Sequence, residues 1–418
     1  MQTPGLAELA DAPDLESGGR PWGFKSLSPD HIKYKGLKAF FCIIEIIMKK
    51  RKNILGTILI ITIVFIGFIL IISTSDNGVV RNAVNINKLK IVDIFTPKNI
   101  IDINDFDIHL SVDVLDEGYD IYVPNKSGYR YGPSIINNED GTRDAWFASN
   151  GNSKEWDWIT YRHFDGENWS NEEIVLRPTP NSKDHYSTCD PGVIYFNGYY
   201  YLGYTSTENA KNGGVENCGY VARSENPNGP FEKWNGNGWG GKPEPIIVYD
   251  EEDSQWGAGE ISFVVMSEKL FCYYSWISDE GNYTKLAVAD LIDDWPSTLQ
   301  EKGIVIEKVS GQDSCDVVFV DGYEKFLAFC VESRFLDTAC LAVYESDDGL
   351  YFKQVGRIRD INKYSHNMGI SKDPNGHINM DDDLVIGYAY GNSAFNTWGR
   401  WSTKIQSVKL KLLTKKKD

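Results

Sequence analysis

The chain lacks the short motifs of phosphate and zinc chemistry. Neither GxxxxGK followed by Ser or Thr nor HExxH occurs, and no two cysteines are spaced as CxxC. These absences remove a P-loop nucleotide site, a zincin-type centre and a zinc finger. The seven cysteines (Cys42, Cys189, Cys218, Cys272, Cys315, Cys330 and Cys340) are scattered and odd in number, which reads as buried free thiols. A single disulfide between Cys189 and Cys315 is the minor alternative. Basic charge is also short. Lys and Arg total 42 against 59 Asp and Glu, and beyond residue 75 the balance is 33 against 53, or −20. A phosphate backbone needs a basic surface, so nucleic acid is excluded as a partner. From residue 90 onward no sustained helical periodicity is found, which excludes a helical bundle.

What the chain does have begins near its amino end. Residues 54–73 form an uncharged run of apolar and small residues, long enough to span a bilayer as a helix. Lys49, Lys50, Arg51 and Lys52 precede it, so the positive-inside rule places the remainder outside the cytoplasm. The run ends without a good cleavage site and no cysteine follows it closely, so an uncleaved anchor is expected rather than a signal peptide or a lipoprotein. Residues 1–47 read as a disordered tail or as non-native sequence ahead of a start at Met48, and residues 48–53 as a short basic cytoplasmic segment. A linker is expected at 74–90, a β-domain at 91–411 and a basic tail at 412–418.

Within that β-domain a loop runs five times into an aromatic-rich strand. The five starts are Tyr131-Gly132-Pro133-Ser134, Cys189-Asp190-Pro191-Gly192, Gly259-Glu260-Ile261-Ser262, Cys315-Asp316-Val317-Val318 and His366-Asn367-Met368-Gly369. Steps of 58, 70, 56 and 50 residues separate Gly132, Asp190, Glu260, Asp316 and His366. Strand repeats of this size build a radial array of four-stranded sheets. Tyr199–Tyr204, Leu270–Trp276, Phe326–Val331 and Leu384–Tyr390 read as second strands, each after a turn. Asp165-Gly166 before Trp169, Asp348-Gly349 before Phe352 and Asn228-Gly229 before Phe231 read as outer hairpins pinned by an aromatic. The expected fold is all-β, a five-bladed β-propeller preceded by one transmembrane helix. A strand from residues 90–124 either closes the ring or packs on its side.

Innermost strands of a propeller start at one mouth of the channel, so Asp190, Glu260, Asp316 and His366 should converge. Any single carboxylate there has an equal reading as a cap on nearby backbone amides. Three together point to acid/base chemistry. Asn367, His185, Asp144, Trp146, Trp256 and Trp398 are the candidate substrate contacts, the tryptophans because an indole stacks on a sugar face. Asp373-Pro-Asn-Gly376 and Asp381–Asp383 read as turns.

The order and spacing of Asp190-Pro191-Gly192, Ser346-Asp347-Asp348-Gly349 and His366-Asn367 resemble the five-bladed propeller glycosidases of glycoside hydrolase family 43 and its relatives over residues ~125–411. The resemblance implies a carbohydrate substrate, cleavage with inversion, no required cofactor and, as in some relatives, a buried calcium in the channel near the fifth-blade histidine. The family's roles do not carry over by position; from the residues themselves Glu260, with its longer reach beside Ala258-Gly259, is the expected proton donor, Asp190 the general base and Asp316 the pKa modulator or substrate orienter. His366 is expected to orient rather than donate. The chain departs from the family at the first blade, where Gly132-Pro133 replaces Asp-Pro and the nearest acids are Asp140 and Asp144. A carbohydrate-binding propeller without catalysis is therefore the rival reading. A sialidase-like propeller would need Arg143, Arg223 and Arg334 to cluster.

Overall fold

The computed structural model describes residues 106–416 apart from 125–127, 153, 208–213, 310 and 393–398. The expected membrane span, the linker and Trp398 lie outside the described residues. Among the described residues no helix is long and apolar enough to cross a membrane.

Five sheets follow one another along the chain, antiparallel except where the short strand His377–Ile378 pairs parallel with the innermost strand of the fourth. Blade 1 comprises Arg130–Asn137, Arg143–Asn150, Asp157–Phe164 and Glu173–Leu176, from the axis outward. Blade 2 comprises Cys189–Phe196, Tyr199–Ser206, Cys218–Ser224 and Glu232–Lys233. Blade 3 comprises Gly257–Met266, Lys269–Ser278, Gly281–Asp290 and Gln300–Lys308. Blade 4 comprises Cys315–Val320, Lys325–Glu332, Cys340–Ser346 and Lys353–Ile358. Blade 5 takes Ser365–Ile370, Leu384–Tyr390 and Ser402–Lys416 from the carboxyl end and its outer strand, Phe106–Val114, from the amino end. Those last two pair antiparallel from Phe106–Lys416 to Val114–Val408, so the amino-terminal strand closes the ring.

Second strands are buried on both faces because each blade is covered by two neighbours, hence near-continuous apolar runs such as Phe326–Val331. Aromatic rings fill the wedges between blades. Trp295 meets Tyr201 of blade 2 and Phe263 of blade 3 at centroid distances of 6.1 and 5.7 Å. Phe352, after Asp348-Gly349, reaches Tyr273 of blade 3 at 5.9 Å, as the hairpin-and-anchor pattern predicts. Fully burying such a side chain stabilises by roughly 1.5–3 kcal/mol. Where neighbouring innermost strands approach most closely, two positions have no room for a side chain. A Cβ on Gly192 would stand 1.7 Å from the Ile261 carbonyl oxygen, and one on Gly369 1.9 Å from that of Pro133.

The connection from 371 to 378 inside blade 5 runs across the far end of the channel. Lys372 exchanges backbone bonds with blade 1, accepting from Asn137 (2.7 Å) and donating to Ile135 (3.2 Å). Pro374, Asn375 and Gly376 then accept from Tyr195 of blade 2, Val265 of blade 3 and Phe319 of blade 4. Asp373-Pro-Asn-Gly376 is the expected turn, and it also floors the channel.

Candidate active site

At the mouth, four of the five innermost strands slip register against their partners, between Tyr131 and Ser134, Cys189 and Gly192, Gly259 and Ser262, and His366 and Met368. The residue inside each slip has positive φ: Gly132 (55°), Asp190 (48°), Glu260 (52°) and Asn367 (39°). Left-handed backbone at a non-glycine residue costs of order 1 kcal/mol and persists only where its surroundings impose it. These slips set Asp190, Glu260 and Asn367 on the wall of one cavity of about 510 Å³.

Blade 4 departs from this pattern. Cys315 and Asp316 pair with Cys330 and Phe329 in unbroken register. Ser134 Oγ accepts from the Val193 amide (3.0 Å), and Ser262 Oγ accepts from the Val317 amide (2.9 Å). Val317 thus corresponds to Val193, which makes Asp316 the counterpart of Gly192 and Ser314 that of Asp190. Asp316 lies one layer deeper, in a narrow channel segment with Pro133, Ser262 and Met368. There it accepts from Lys372 Nζ at 2.6 Å. Asp190, Glu260 and His366 line the large cavity; Asp316 does not, but it borders the narrow segment beneath it together with Asp190, Glu260 and Asn367.

Its place beside Glu260 is taken by Asp313, which is buried. Asp313 Oδ1 accepts from Arg334 Nη1 (2.8 Å) and Oδ2 accepts from the Asn367 amide (2.7 Å). Asn367 Nδ2 in turn donates to Glu260 Oε1 (3.1 Å). Glu260 Oε2 is buried with no hydrogen-bond partner among the described residues. Burial pushes the Glu260 carboxyl up and the Asp313 charge adds to it, while Lys308 and Arg334 oppose. Burial, then the charge of Glu260, holds Asp190 well above the usual carboxylate range. Asp313 itself is held below that range: burial works to raise it, but Arg334, His366 and two backbone amides outweigh burial. The site therefore brings together two carboxyls raised by burial and neighbouring charge, Asp190 and Glu260, beside an aspartate, Asp313, that is held low.

His366 is enclosed by Trp401, Phe335 and Tyr131, with ring centroids 4.0, 5.1 and 5.6 Å away. Its Nδ1 lies 2.6 Å from Asn367 Oδ1, which can only accept, so Nδ1 carries the hydrogen. Burial pushes its pKa down to about 4. A neutral His366 thus holds the Asn367 side chain by this bond. Asp157, on the third strand of blade 1, adds another acid to the wall. It accepts from Tyr129 Oη (2.5 Å) and Ser187 Oγ (2.9 Å), and burial pushes it up to about 6.

Among the other expected contacts, Trp256 lines the cavity. His185 is half-buried off the cavity wall, its ring 3.7 Å from that of Tyr186 and its Nδ1 2.6 Å from the Ser182 carbonyl oxygen. Asp144 sits toward the opposite end of blade 1, where it holds Tyr161 Oη, His163 Nδ1 and Asn138 Nδ2. Trp146 is wholly buried between Tyr161 and Tyr200 and donates to the Pro227 carbonyl, a blade-joining role. Asp140 caps an exposed turn through Thr142. The six described cysteines are free, so Cys189 and Cys315 form no disulfide. Arg143 pairs with Asp383 and Arg223 lies between the rings of Tyr199 and Trp239; only Arg334 reaches the cavity, so no arginine cluster forms.

Asp313 and Asp157 escaped the sequence reading, and Arg334 entered it only as a sialidase-type candidate, because none occupies the repeated start position. The signal for Asp313 was its spacing of three from Asp316, two acids flanking one strand start.

No protein-family model and no curated protein matches the chain by sequence. Solved structures match it by fold. A family 117 glycoside hydrolase from the marine bacterium Zobellia galactanivorans superposes with a TM-score of 0.51 at 15% identity, covering 72% of this chain and 90% of its own. A thermostable family-43 glycoside hydrolase gives 0.51 at 12% identity, covering 72% and 97%. An α-L-arabinofuranosidase of Podospora anserina, solved with cellotriose, gives 0.50 at 12% identity, covering 70% and 95%. The architecture is thus that of the five-bladed propeller glycoside hydrolases, and the family-43-like expectation holds at the level of fold.

Proposed function

We propose that this chain is a glycoside hydrolase that cleaves a glycosidic bond of a polysaccharide or oligosaccharide by carboxylate acid/base catalysis. The observation that carries the reading is the meeting of Asp190 and Glu260 in one cavity, both raised by burial and by a neighbouring negative charge. Such a pair retains a proton that belongs to both. Glu260 is the proposed donor, because its Oε2 has no protein partner to compete for the proton. In the step, the Glu260 proton moves to the glycosidic oxygen as the C–O bond breaks. Asp190, ionised, takes a proton from a water whose oxygen bonds to the anomeric carbon. Solvent exchange then returns the proton to Glu260. Asp313 keeps Glu260 protonated by like-charge repulsion, the part first expected of Asp316. Trp156, Trp256 and Trp401 on the wall supply apolar faces for a sugar ring. The proposed stereochemical outcome is inversion, and the proposed setting is the outer face of a cell membrane. The second is supported by the apolar run at 54–73 behind Lys49–Lys52.

One observation favours a second reading, a carbohydrate-binding propeller without turnover: blades 1 and 4 offer Gly132 and Ser314 where blades 2 and 3 offer acids. Incubation of the full chain with a panel of polysaccharides separates the two. The hydrolase reading predicts release of reducing ends, lowered by about 10²–10⁴-fold in both Glu260→Gln and Asp190→Asn. Retention of a glycan with no release by the native protein would replace it with the binding reading.

A further inference from the structure

A buried ammonium is tolerated only when it is paired, and Lys372 is 2% exposed on the axis of the propeller. Its Nζ donates to Asp316 Oδ1 (2.6 Å) and lies 3.4 Å from both Ser262 Oγ and the Val317 carbonyl oxygen. The remaining capacity of Asp316 is used as well: Oδ1 accepts from Ser262 Oγ (2.7 Å) and Oδ2 from the Ile370 amide (2.9 Å). These contacts draw blades 3, 4 and 5 to one point. The Lys372 backbone adds blade 1, and the loop it begins adds blade 2.

The resemblance to propeller glycosidases implies a calcium in this channel, and the residues present do not fit one. Calcium takes six to eight oxygens at about 2.3–2.6 Å. Asp316 already holds an ammonium that would repel a divalent ion, and the other two carboxyls on this segment, Asp190 and Glu260, are raised by burial and so resist the ionised form that calcium needs. His366, the side chain that would reach toward such a metal, is hemmed in by Trp401 and Phe335 and directs its Nδ1 to Asn367. Among the described residues no three of His, Cys, Asp and Glu converge as metal ligands.

We infer that this propeller carries its axial cation in its own sequence, as Lys372, at a site where Asp316, Ser262 and the Val317 carbonyl bind an ammonium in place of a metal ion. The ring is then held at its axis without a divalent cation. This inference does not rest on the hydrolase reading: its contacts are those of Lys372 and Asp316, neither of which lines the larger cavity, although Asp316 borders the segment beneath it with Asp190 and Glu260.

The test uses the purified full chain, with metal content by mass spectrometry and thermal unfolding with and without EDTA or added calcium chloride. The native protein should hold well under one equivalent of divalent metal, with a Tm that neither chelation nor calcium moves. Lys372→Met strands the Asp316 charge and should lower Tm by roughly 6 °C or more. The double variant Lys372→Met/Asp316→Asn, which removes both charges, should recover most of that loss. One equivalent of calcium in the native protein, or a Tm that falls on chelation, overturns the inference. So does a Lys372→Met protein as stable as the native one. If Lys372→Met does not fold, the double variant and the native chelation series still decide the matter.

Discussion

Asp190 and Glu260 combine backbone strain with pKa shifts of the kind that burden a fold and serve a reaction. Asp190 shows the conflict in sign. Its folded pKa is raised, so between the ordinary aspartate value and that raised value the folded state binds more protons than the unfolded chain. Stability therefore falls as pH rises through that window. Asp190→Asn removes the titration and should raise Tm at pH 7–8 by roughly 2–4 °C per kcal/mol recovered, while turnover is lost. Scanning calorimetry of both proteins from pH 4 to 8 checks this. A Tm difference that does not change with pH would contradict the shift. Roles within the pair separate by leaving group. Glu260→Gln should retain most of its rate on an aryl glycoside whose phenol leaves without protonation. Asp190→Asn should be slow on every substrate, and steady-state kinetics on a graded series of phenols reads the difference.

The innermost strand is the element that makes the site, through its one-residue slip at the mouth and its glycine below. The four slips fall at or beside positions that the repeat had singled out, at Gly132, Asp190, Glu260 and the residue after His366. Blade 4 misled that reading. Cys315-Asp316-Val317 imitates Cys189-Asp190-Pro191 in residue type, but its unbroken ladder puts Asp316 two places further along than Asp190. Strand registers are set by cross-blade contacts such as Ser262 to Val317, which a linear pattern does not display. Trp146 and Asp144 were misplaced for a similar reason. Period two says that a residue faces the neighbouring blade, not how far it stands from the mouth. Gly192 belongs to this scale too, since blades 2 and 3 meet at backbone distance there. Gly192→Ala should destabilise by about 2 kcal/mol or more through overpacking, measured by denaturant unfolding. An unchanged midpoint would mean that the blades can part without cost.

For the molecule as a whole, closure is the organising constraint. Its ring is completed by strands from the two ends of the described chain, held by nine paired residues. Glu345 of blade 4 reinforces the clasp by accepting from the Leu110 amide (2.7 Å) and Lys325 Nζ (2.7 Å). Removing residues up to 114 while keeping 115–418 should open blade 5, expose the apolar face of Leu384–Tyr390 and yield a protein cleaved rapidly in limited proteolysis. Equal protease resistance would show that the ring closes without its amino-terminal strand. The aromatic-rich repeat and the absence of helical periodicity made this architecture legible from sequence. The floor of the channel was less so, because the turn formers of Asp373-Pro-Asn-Gly376 gave no sign of the three blades they bridge.

The most direct measurement is a crystal structure of Glu260→Gln with an oligosaccharide that the native protein cleaves. The account predicts the scissile glycosidic oxygen within about 3.2 Å of the residue-260 side chain, and a water between Asp190 and the opposite face of the anomeric carbon. For inversion, the two carboxyl groups in the native protein should stand roughly 6.5–9.5 Å apart. A sugar bound away from this cavity, or one whose glycosidic bond lies beyond reach of both side chains, would contradict it.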